Sequence, residues 1–91
     1  MKRYLIEREI PGVGKLDAQG LSDAAKTSNQ ALAKLGPDVQ WVESYVVADK
    51  TYCVYLATGE EVIREHARIS GFPANRISEI KSTIDPTTAK D

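Results

Sequence analysis

Apolar and polar positions first alternate along the chain, then recur at three to four residues, and the two periods repeat in order. Lys2 to Ile10 reads as a strand with Tyr4, Ile6 and Ile10 on one face, and Pro11-Gly12-Val13-Gly14 breaks it. Leu16 before Asp17, with Leu21 beyond, has the form of an N-cap inside a hydrophobic staple. Leu21, Ala25, Ser28, Leu32 and Leu35 then follow at spacings of four and three, an amphipathic helix with one polar interruption at Ser28. Gly36-Pro37 ends it, since glycine accepts a left-handed C-terminal position and proline cannot continue the ladder. Val39–Val47 and Thr51–Ala57 are rich in Val, Tyr and Trp and predict two strands, with Asp49-Lys50 in a tight hairpin between them. Thr58 and Glu61 match a capping box, which predicts a second helix to about Ser70, closed by Gly71-Phe72-Pro73. Arg76–Ile84 alternates imperfectly and predicts a last strand, and Asp85-Pro86 opens a polar tail.

The order is β-α-β-β-α-β, so the expected fold is α+β: a ferredoxin-like sandwich with an antiparallel sheet carrying both helices on one face. A single domain over residues 1–85 and a polar tail over 86–91 are expected. If Ala48 faces Thr51 across the hairpin, one face carries Trp41, Tyr45, Val47, Tyr52, Val54 and Leu56, and the other Val42, Val46, Cys53, Tyr55 and Ala57. Both faces are apolar while the helices cover only one, so a homodimer packed sheet to sheet is expected.

Composition narrows the function class. The chain has 91 residues, 42% of them hydrophobic and 27% charged, with a formal charge of -1 and no run of like charge, which argues against nucleic-acid binding through phosphate neutralisation. No stretch approaches the ~20 apolar residues of a membrane span, and Glu7, Arg8 and Glu9 interrupt any signal-peptide core, so a cytoplasmic protein is expected. A single cysteine, Cys53, excludes an internal disulfide.

Candidate chemistry is sparse. His66, the sole histidine, falls on a helical wheel between Val62, Ile63, Ile69 and Ser70, opposite Glu61, Arg64, Glu65 and Arg68. It therefore points into the core, where it is a hydrogen-bonded core residue, a metal ligand or a general base. Mid-strand Cys53 is an inert buried thiol or a thiolate ligand, and the two hairpin faces leave open whether it looks toward the helices and His66 or away from them. An imidazole and a thiolate suit nickel, copper or zinc better than magnesium or calcium. Pro11-Gly12-Val13-Gly14-Lys15 has one residue between its glycines where a Walker loop needs four, and reads as a turn. Tyr52 and Tyr55 point to opposite faces and make no base-stacking platform. The four tyrosines, Tyr4, Tyr45, Tyr52 and Tyr55, serve packing or line a small-molecule pocket.

Seven segments resemble a family of small bacterial proteins known as a domain of unknown function. They are Arg8-Glu9-Ile10-Pro11-Gly12, Trp41-Val42, Ser44-Tyr45-Val46, Tyr52-Cys53-Val54-Tyr55, Arg64-Glu65-His66-Ala67, Gly71-Phe72-Pro73-Ala74 and Ile84-Asp85-Pro86-Thr87-Thr88. The resemblance covers nearly the whole chain. It implies a dimeric ferredoxin-like fold and, because a relative in that family binds nickel, it implies His66 and Cys53 as metal ligands, with Glu7 and Glu9 as carboxylate possibilities. The function expected is a cytoplasmic, dimeric, non-catalytic nickel or related divalent-metal binder that sequesters or senses. The alternative is a dimeric α+β barrel enzyme of isomerase or monooxygenase type, with His66 as acid or base toward a small organic molecule.

Overall fold

The computed structural model describes residues 1–90 and contains four strands and two main helices: β1 (Lys2–Glu9), α1 (Ala18–Leu35), β2 (Val39–Val46), β3 (Lys50–Ala57), α2 (Glu60–Ser70) and β4 (Arg76–Glu79). The sheet order is β2-β3-β1-β4 with every neighbour antiparallel, the ferredoxin-like arrangement expected from the element order. No helix among the described residues is long and apolar enough to cross a membrane.

Alternation in the two central strands decides which side chains meet the helices. Tyr4, Ile6 and Arg8 of β1 and Thr51, Cys53, Tyr55 and Ala57 of β3 are all buried on that inner side. Ile63 and His66 from α2 and Ser28 and Ala31 from α1 close the core from above. Asp17 caps α1 as expected, accepting from the Gly20 amide at 2.8 Å, and Gly71, with φ at 82°, ends α2 in the left-handed conformation that favours glycine.

Four local expectations change. The N-cap of α2 is Gly59, without a side-chain bond, so Thr58 and Glu61 form no capping box; the Thr58 amide instead donates to the Asp38 carbonyl at 3.0 Å. The last strand is only Arg76–Glu79, because pairing with β1 stops where Tyr4 meets Glu79. Past it, Asp85 caps a 3-10 turn at Pro86–Thr88 by accepting from the Thr87 amide. Trp41 changes faces. A register shift between Trp41 and Glu43 sets Trp41 opposite Tyr55 on the inner side, whereas Tyr45, opposite Tyr52, stays outward.

The Pro11-Gly12-Val13-Gly14 segment is a clasp on the hairpin turn. The Ile10 and Gly14 amides donate to the Asp49 and Ala48 carbonyls at 2.9 Å, and the Gly12 amide donates to the Asp49 carboxylate at 2.9 Å. Amides that a phosphate loop would aim at a ligand are thus already taken. A Cβ on Gly14 would lie 2.5 Å from the Val47 carbonyl oxygen, a backbone atom that cannot step aside. Gly14→Ala should therefore destabilise the fold by about 1 to 3 kcal/mol in urea unfolding, the usual cost of forcing a group into filled space.

Candidate functional site

Four elements each send one polar side chain into the apolar interior at the same place. β1 supplies Arg8, α1 supplies Ser28, β3 supplies Tyr55 and α2 supplies His66. His66 is fully buried, with Nε2 at 3.1 Å from the Ser28 hydroxyl and Nδ1 at 3.5 Å from a terminal nitrogen of Arg8. The chemistry of the partners sets the tautomer: Arg8 can only donate, so Nδ1 presents its lone pair to it, and Nε2 carries the hydrogen and donates to Ser28. The Tyr55 ring meets the imidazole edge-on at a centroid distance of 5.3 Å, and the Arg8 guanidinium lies 5.8 Å from the Tyr55 centroid. The other terminal nitrogen of Arg8 donates to the Pro73 carbonyl at 2.8 Å and to that of Phe72 at 3.4 Å, in the segment that follows α2.

Burial first, and the Arg8 charge second, push the His66 imidazole below its ordinary pKa of 6.5, while a hydrogen bond to the Ser28 backbone pulls the other way. Burial likewise raises the Tyr55 phenol, which stays neutral. The cluster at neutral pH is one guanidinium charge among neutral partners.

Cys53 also lies on the helix-covered side, 4% exposed, with its sulfur 3.5 Å from the Thr51 hydroxyl. It borders a cavity of about 220 Å³ between α1 and the inner sheet face, a cavity that Arg8, Ser28 and Tyr55 also line. His66 sits behind these three and does not line it. The structure thus puts His66 and Cys53 on one side of the sheet. It does not bring a carboxylate to them: Glu7 and Glu9 alternate with Arg8 and so point away from the helices, Glu7 being within 4.0 Å of both Lys50 and Arg76. Among the described residues no three His, Cys, Asp or Glu side chains gather in a way that could hold a metal ion. An imidazole whose nitrogens are both engaged, one thiol and a nearby fixed cation do not fit a preformed nickel centre.

Arg8 and Ser28 are the site residues that sequence reasoning did not single out as such. Both carried a signal. Ser28 is the polar break in the apolar stripe of α1, and Arg8 occupies the inward phase set by Tyr4 and Ile6.

Two linked outcomes follow for stability. Ser28→Ala removes the hydroxyl facing the buried Nε2 and should cost about 1 kcal/mol in denaturant unfolding. Because the folded pKa of His66 is depressed, the unfolded chain binds the extra proton first. Stability is therefore complete above the unfolded value near 6.5 and declines as pH falls below it toward the folded value. Urea midpoints measured from pH 8 to pH 5 should show this decline in the wild type, and His66→Gln should flatten it.

Comparison with known proteins gives this geometry a family. The profile of a family described as "Nickel responsive protein SCO4226-like" matches residues 4–80. The crystal structure of SCO4226 from Streptomyces coelicolor A3(2) superposes with a TM-score of 0.73 at 15% identity, over 90% of this chain and 99% of that one, a likeness of fold. Among curated proteins no sequence matches. Since the profile spans more than half of its length, the chain belongs to the nickel-responsive, SCO4226-like family.

Proposed function

We propose that the protein serves the nickel response by binding and not by turnover, as a cytoplasmic sensing or sequestering module. The observation that carries this reading is the family match over residues 4–80. The state of His66 supports it against the enzyme alternative. An acid or base must reach its substrate, whereas this imidazole is sealed from the cavity and held at both nitrogens.

In this reading nickel contacts Cys53 ahead of His66. Cys53 borders open space, and His66 would first have to give up its bond to Ser28. One thiolate with one displaced imidazole leaves coordination positions open, so further donors must come from outside the pair. Nickel titrated calorimetrically into tag-free protein should bind to the wild type, with Cys53→Ala weakening it more than His66→Ala. Equal affinity in all three proteins would remove both residues from the site, and no heat in the wild type would exclude direct nickel binding.

The outward sheet face supports a second copy as partner. Tyr45 there is 54% exposed, beside half-buried Tyr52, Leu56 and Leu5, so several apolar side chains share that face. Pairing two such faces would bury on the order of 1,200 Å² or more in a specific dimer. Light scattering should give twice the chain mass, and Tyr45→Glu should lower it; a monomeric mass at high micromolar concentration would overturn the dimer.

A further inference from the structure

The ion pairs of the described residues all lie on exposed or half-exposed side chains, and none includes Arg8. Yet Arg8 is the charged residue buried deepest, at 2% exposure. A guanidinium taken out of water is costly unless charge or hydrogen bonds offset it. One terminal nitrogen has the Pro73 and Phe72 carbonyls, the other has a long contact to the neutral imidazole, and the neutral Tyr55 phenol also bonds the guanidinium. Carbonyls, imidazole and phenol supply partial dipoles and no negative charge. The side chain also borders the cavity, whose walls are otherwise mainly apolar, with hydroxyls from Ser28, Ser44 and Thr51 around the same space.

We propose that this cavity binds a small organic monocarboxylate, with the carboxylate beside Arg8 and an apolar body under α1. Size limits the ligand. A cavity of about 150 Å³ accommodates benzene, so 220 Å³ suits an aryl or branched chain of that order with its carboxylate. Leu16 and Leu21, each more than two-fifths exposed at the rim, and Val13 and Phe72 supply apolar contact for the body. The carboxylate provides the charge that the protein does not place near Arg8, and guanidinium and carboxylate match as planar partners. The site needs no metal, although Cys53, the first nickel contact of the reading above, lines the same cavity.

Trp41, the sole tryptophan, lines the cavity and donates to the Ser44 hydroxyl at 2.9 Å, so its fluorescence reports on occupancy. Metal-free protein in chelator is titrated with phenylacetate and, separately, with neutral phenylacetamide. Phenylacetate should quench or shift the Trp41 emission saturably and bind roughly ten-fold or more tightly than the amide, as expected for a charge-assisted contact. Arg8→Met should erase the preference. Because that variant removes a buried group and can lose the fold, Ala25→Phe, which fills the cavity from α1, provides a second check and should abolish binding. Equal affinity for acid and amide in the wild type, no response to either, or phenylacetate binding that survives Ala25→Phe would each overturn the proposal.

Discussion

His66 has no access to water, so whatever stands opposite its two nitrogens must satisfy them. Ser28 on α1 and Arg8 on β1 do so, and the consequence reaches through the whole sandwich. The Ser28 bond fixes the rotation of α1 about its axis against α2, since a turn of one residue would carry the hydroxyl out of reach. Arg8 ties the same point to the sheet and, through the Phe72 and Pro73 carbonyls, to the chain leaving α2. Apolar contacts alone would hold the helices on the sheet without selecting one register. The polar contacts contribute less burial energy and more uniqueness.

The same cluster sets the electrostatics of the interior. A charged guanidinium beside a neutral imidazole biases the adjacent space toward anions, so a cation reaching Cys53 enters against that field. Among the described residues no ready-made nest of carboxylates and imidazoles gathers. The donors that nickel prefers are present one apiece, and the histidine is already used to hold the fold together.

Access to the cavity depends on a second constraint at one end of the sheet. The clasp between Gly12-Val13-Gly14 and the Ala48-Asp49 turn holds the connection from β1 to α1 against the hairpin, and Val13 and Leu16, which follow from it, form part of the cavity wall. Close backbone approach at Gly14 makes that attachment possible. Trp41 completes the opposite wall because the β2 irregularity turns it inward.

Element order, the caps at Asp17 and Gly71 and the inward phase of His66 were legible in the sequence because each is local: a period, a cap or a wheel position depends on neighbours a few residues away. The ferredoxin-like fold followed from that order. Bounds that depend on remote partners were not legible. The last strand is cut short by where β1 can pair, and the start of α2 shifts because the Thr58 amide bonds to Asp38. The face of Trp41 depends on a bulge that alternation cannot reveal. The site divides in the same way. Sequence alone determined that a lone imidazole must lie in an apolar layer and that Ser28 interrupts another, but 38 residues separate them, and only packing decided that these two interruptions meet. Only packing, too, placed Arg8 inside without a carboxylate and Cys53 on the helix-covered side of the sheet. Strand alternation fixes which residues share a face, while the direction of that face is decided by what the rest of the chain packs against it.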